Sequence, residues 1–209
     1  MPDRVTLFID YSNAYMGARR SFYLPRVFHT VGQFAPIALG ELIASRPPAG
    51  LERTLQEVRV YYGRPDARRE PRSYAANMRQ TAAWEAAGVT VIARPLRYPP
   101  DWPKSKKREK GIDVALAVDF VTMAIDGRYD VGMIFSTDTD LLPALEDAMA
   151  RYSSYPRAET VAWKSDRANR PLFVNGPRRN WCHMLTKSDY ESVRDATDYN
   201  VRPLPRDAP

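Results

Sequence analysis

The chain has 209 residues, 44% of them hydrophobic, with 31 Lys and Arg against 25 Asp and Glu, a formal charge of +6. That apolar share suffices for one sizeable core and argues against disorder, while the basic balance favours a polyanionic partner. No apolar run approaches the roughly 20 residues that cross a bilayer, Met1-Pro2-Asp3-Arg4 lacks the layout of a secretory signal, and a lone Cys182 with only His29 and His183 excludes an intramolecular disulfide and a zinc site.

Candidate parallel strands recur as apolar runs at Val5–Ile9, Val58–Tyr62, Val89–Ala93, Val131–Phe135 and Glu159–Trp163. Between them lie helix-like segments: one beginning near Asn13, then Phe34–Ser45, Ser73–Ala87, Ile112–Ile125 and Thr139–Tyr152. Gly88 and Gly127 follow two of these as C-terminal stops. The alternation predicts an α/β fold with a mainly parallel sheet. Leu172-Phe173-Val174 reads as a further short strand. Residues 1–199 are expected to form a single domain and 200–209 a loose Pro-rich tail.

Acids concentrate where these strands should hand over to helices. Val5–Ile9 runs into Asp10, with Asn13 three residues on; Val131–Phe135 runs into Ser136-Thr137-Asp138-Thr139-Asp140; and Asp113 opens the segment after Lys110-Gly111. Each acid alone could simply cap a helix or complement its dipole. The carboxyl ends of neighbouring parallel strands converge, however, so acids at several such ends can share one crevice. Hard oxygen ligands suit Mg²⁺ or Mn²⁺, and a divalent ion beside a phosphodiester supports its hydrolysis. Asp10, Asp113, Asp138 and Asp140 are the expected metal ligands. Asp10, Asn13, Asp113 and Asp138 are the expected catalytic set, with Ser12, Ser136 and Asp119 supporting them. Asp119 lies six residues beyond Asp113, about 9 Å along a helix and on a rotated face, which makes it a supporting or salt-bridging group, not a ligand.

Three blocks carry a family resemblance: FIDYSN at Phe8–Asn13, KGIDVALAVDF at Lys110–Phe120 and STDTDLLPAL at Ser136–Leu145. They resemble the NYN domain family, relatives of the PIN-domain nucleases, in the LabA-like branch; Met184–Tyr190 resembles that branch's closing pattern. The resemblance implies a PIN-like three-layer sandwich with strand order 3-2-1-4-5 and a Mg²⁺- or Mn²⁺-dependent ribonuclease site. It assigns the acids to Asp10, Asp113 and Asp138, with Asn13 and Asp140 beside them. Thr137 stands where the family commonly has Gly, and Tyr11-Ser12 where small residues are usual; both departures narrow the pocket.

The expected substrate is RNA, single-stranded or structured. Arg19, Arg20, Lys104, Lys106, Lys107, Arg108 and Lys110 are the cations placed to hold its phosphates. A membrane partner is not expected, the location is expected to be cytoplasmic, and a homodimer is compatible with the sequence. The competing reading is a non-catalytic RNA-binding or regulatory module that keeps the acidic metal site.

Overall fold

The structure, a computed structural model, describes residues 1–151, 157–165, 171–175 and 179–201. Its elements run β1 (Asp3–Asp10), α1 (Tyr11–Phe22), α2 (Pro36–Ala44), β2 (Arg53–Arg64), α3 (Pro71–Ala86), β3 (Thr90–Pro95), α4 (Ile112–Ile125), β4 (Val131–Phe135), a 3₁₀ turn (Thr139–Leu141), α5 (Leu142–Arg151), β5 (Arg157–Trp163), β6 (Cys182–Leu185) and α6 (Lys187–Val193). The strands form one sheet in the order 3-2-1-4-5-6, and every neighbouring pair is parallel. The expected order 3-2-1-4-5 is present, extended at one edge by β6.

An all-parallel sheet needs cover on both faces. One face carries Val5, Leu7 and Ile9 of β1 and packs with Ala14, Leu39, Ile43, Trp84 and Tyr190 from α1, α2, α3 and α6. The other carries Phe8, Tyr61 and Ile134 and packs under Leu116 and Phe120 of α4 and Leu145 of α5. Successive side chains of β1 thus feed opposite cores. All five residues of β4 are buried, as its unbroken apolar run requires. Gly132 is obligatory there because an added Cβ would lie 2.6 Å from the Tyr129 ring and 2.8 Å from Phe120.

Two expectations need correction. Leu172-Phe173-Val174 is not a strand. Its backbone is satisfied by the buried Asn180 side chain, which accepts from Val174 N at 2.9 Å and donates to Leu172 O at 3.0 Å. The segment Thr139–Tyr152 is not one helix, since Asp138 caps a separate 3₁₀ turn before α5 begins. Tyr152 and residues 202–209 of the expected tail lie outside the described residues. Among the described residues, no helix is long and apolar enough to cross a membrane.

The helices after β1 cover one face and α4, which leads into β4, covers the other. The chain therefore reverses its winding between β1 and β4, and the carboxyl ends of these strands bound the switch-point crevice of an open α/β sheet.

Candidate catalytic pocket

Asp10 is the last residue of β1 and the N-cap of α1. Its side chain accepts from Asn13 N at 3.1 Å through Oδ1 and from Ser136 Oγ at 3.0 Å through Oδ2. Ser136 Oγ in turn accepts from Asp138 N at 3.1 Å. Asn13 answers from the other side: its Oδ1 accepts from both N and Oγ1 of Thr137 at 3.1 Å. The ends of β1 and β4 are thus joined by side chains supplied by the two blocks that carry acids. Ser136 donates to Asp10, and Asn13 uses its carbonyl to position the loop after β4.

Asp113 sits in the first turn of α4, and Asp138 caps the 3₁₀ turn by accepting from Asp140 N at 3.0 Å. The acids sense one another. Burial, opposed by the bonds from Asn13 and Ser136 and reinforced by the charges of Asp113 and Glu109, pushes the Asp10 carboxyl up to about 7. Burial and the neighbouring Asp138, with Glu109 and Asp140 adding to them, raise Asp113 against the pull of its own backbone N–H. None of Asp10, Glu109, Asp113, Asp138 or Asp140 takes part in a salt bridge among the described residues, although the chain carries an excess of cations.

Glu109 is the acid that sequence reasoning missed. Its Oε1 accepts from Ser12 Oγ and from Gly63 N, both at 2.7 Å, so it ties the start of α1 to the end of β2. A Cβ on Gly63 would collide with Leu96 Cδ2 and sit 2.8 Å from Glu109 Cγ, so a side chain there would crowd both. The available signal was a single acid inside the basic run Lys104–Lys110. Ser12 accordingly serves Glu109, not Asp10.

Hard carboxylate oxygens without protein counter-ions suit Mg²⁺ or Mn²⁺. The spacing falls short of a closed cage: no group of three or more His, Cys, Asp and Glu side chains among the described residues is placed to hold a metal ion. Loading an ion at Asp10 would require exchange of the Ser136 hydrogen bond and side-chain closure by Asp113 and Asp138.

Asp119 bonds to none of these acids. It accepts from Arg59 Nη2 and Tyr61 Oη, both at 2.8 Å, in a cluster joining α4 to β2. Of the two roles open to it, supporting the acids or salt-bridging, Asp119 makes the salt bridge and no bond to the acids. Arg19 is likewise structural. It donates to Tyr15 Oη at 3.0 Å and to the carbonyls of Val27, Phe28 and Val31 at 2.9, 2.8 and 2.6 Å, fastening the loop after α1. Lys107 pairs with Glu70, while Arg20, Lys104, Lys106, Arg108 and Lys110 are exposed.

The family model described as NYN domain matches residues 4–155. Among solved structures, a protein of unknown function from Vibrio parahaemolyticus RIMD 2210633 is similar at 16% identity and a TM-score of 0.49, over 78% of this chain and 81% of that one. No curated protein matches the chain.

Proposed function

The chain belongs to the NYN domain family, a nuclease-type fold, and on that footing we propose that it is a ribonuclease that hydrolyses RNA phosphodiester bonds with a bound Mg²⁺ or Mn²⁺ ion. The observation that carries the reading is the uncompensated carboxylate group at the β1/β4 switch point, stitched together by Ser136 and Asn13.

Asp10, Asp113 and Asp138 would hold the ion once their side chains close on it, with Asp140 beside them. When bound, it supplies Lewis-acid polarisation of the phosphate and a more acidic water. Asp10 must release its proton to take part; the Asn13 N–H fixes its Oδ1, and the Ser136 hydroxyl must give up Oδ2 to the ion. Without a cation, protonation of Asp10 is what relieves the repulsion among Asp10, Asp113, Asp138 and Glu109, and a bound cation would take over that role. Exposed cations between β3 and α4 hold the flanking phosphates. Water then attacks phosphorus in line and leaves a 5′-phosphate and a 3′-hydroxyl.

The test is cleavage of single-stranded and structured RNA with Mg²⁺ or Mn²⁺ by the parent, Asp10→Asn and Asp138→Asn. Metal-dependent cleavage by the parent, lost in both variants, supports the proposal. RNA binding without cleavage by the parent transfers the chain to the binding-module reading, and products ending in a 2′,3′-cyclic phosphate contradict the hydrolytic route.

A further inference from the structure

Residues between β3 and α4 leave the sheet in an excursion closed by one antiparallel bridge. Arg97 N donates to Arg108 O and Arg108 N to Arg97 O, both at 2.9 Å. Two residues that exchange both bonds stand directly opposite, and like charges so placed are destabilising. Arg97, Lys106 and Arg108 nevertheless line one cavity of about 360 Å³, together with Tyr98, Pro99 and Ser105.

The pattern of neutralisation is selective. Lys107, between two of these cations, reaches Glu70 at 2.6 and 2.5 Å. Arg97, Lys106 and Arg108 make no salt bridge among the described residues. Asp101 accepts from Ser105 Oγ at 2.5 Å, and Glu70, already paired with Lys107, accepts from Tyr98 Oη. A fold that pairs one cation of a run and holds three others around a common space has left room for an anion. The place is suitable, because Arg108 is followed directly by Glu109, whose carboxylate touches Ser12 at the acidic pocket.

We propose that the cavity formed by Arg97, Lys106 and Arg108 is a phosphate-binding slot that holds the RNA strand beside the acidic pocket. The slot rests on the ribonuclease reading for the identity of its strand. Its ligand is a phosphate of that strand, whether an internal backbone phosphate or the terminal 5′-phosphate, and Arg pairs bidentately with either.

The experiment measures binding of one short single-stranded RNA, made with a 5′-hydroxyl or a 5′-phosphate, by fluorescence anisotropy in EDTA across a salt series. Parent, Arg97→Gln/Lys106→Gln/Arg108→Gln, the charge-keeping Arg97→Lys/Arg108→Lys, and Arg72→Gln as an exposed cation outside the cavity are compared. The triple Gln variant is expected to bind at least tenfold more weakly at low salt. Its slope of log K against log salt should fall by about 0.7 for each phosphate that the variant no longer neutralises. The Lys variant should keep most of the slope and Arg72→Gln all of it. A 5′-phosphate preference in the parent that vanishes in the triple variant identifies a terminal phosphate, whereas equal losses for both RNAs identify a backbone phosphate.

With the opposed like charges removed, the triple variant should melt at or above the parent temperature when no RNA is present. Parent-like affinity and slope in the triple variant, an equal loss in Arg72→Gln, a lower melting temperature in the triple variant, or no RNA binding by the parent each overturn the slot. Binding as expected without metal-dependent cleavage by the parent counts against the catalytic reading alone, and cleavage by the parent with unchanged binding by the triple variant counts against the slot alone.

Discussion

Asp10→Asn should stabilise the metal-free protein at neutral and alkaline pH while abolishing metal-dependent cleavage. Asp10 is 4% exposed, and its carboxyl is raised from 3.8 to about 7, chiefly by burial. A raised carboxyl binds its proton more tightly folded than unfolded, so the folded state loses stability as pH climbs from about 4 to about 7 and is penalised constantly above that. At 1.36 kcal/mol per tenfold, the difference amounts to about 4 kcal/mol as an upper bound. Asn is nearly isosteric and caps a helix as well as Asp, so the bond from Asn13 N survives. The Ser136 hydroxyl loses a charged acceptor, which offsets about 1 kcal/mol or more of the gain. Urea denaturation in EDTA should therefore show Asp10→Asn about 2 to 3 kcal/mol more stable than the parent at pH 8, with the gap closing toward pH 4. Saturating Mg²⁺ should stabilise the parent more than the variant. A variant less stable than the parent at pH 8, with a pH-independent gap, would refute the claim that the fold holds this carboxylate against its own charge.

Glu159→Ala should be severely destabilising, by about 3 to 5 kcal/mol, because it strands the Arg53 guanidinium, which is wholly buried and bonded to Glu159 at 3.0 and 2.6 Å. In the parent, burial raises Glu159 but His183 and Arg53 outweigh it and hold the carboxyl low. Its contribution is therefore present above the ordinary carboxylate range and lost as pH falls through the depressed value, which acid titration of the urea midpoint will show. Asp119→Asn should cost about 1 to 3 kcal/mol by weakening the bonds to Arg59 and Tyr61, yet leave cleavage and metal affinity near parental values in the same assays. Gly132→Ala should cost about 1 to 3 kcal/mol by calorimetry, since the new methyl collides with Tyr129 and Phe120 in the core.

Where one signal dominated, the sequence was readable. β4 is an uninterrupted apolar run buried on both faces, and α4 spans the residues its pattern marks, Ile112–Ile125. β2 is longer than its apolar part because Arg53–Glu57 alternates between half-buried and exposed positions, where charge hides a strand. β6 and α6 went unread for related reasons. β6 is a four-residue edge strand with Met184 exposed, and α6 has seven residues whose clearest sign is the Thr186–Asp189 capping box. In the pocket, Asp10, Asp113 and Asp138 were legible because strand and helix ends announce themselves. Glu109 was not, since it sits in an irregular segment and reaches the pocket only through Ser12 and Gly63. The structural duty of Arg19 was equally hidden, because its partners are backbone carbonyls of a loop whose path no local pattern dictates.

The most direct trial of the account is anomalous diffraction from crystals of the parent soaked in Mn²⁺. The account predicts an ion bounded by carboxylate oxygens of Asp10, Asp113 and Asp138, with the Ser136 hydroxyl released from Asp10. Ions found only elsewhere, or these three side chains standing apart as before at saturating Mn²⁺, would contradict it.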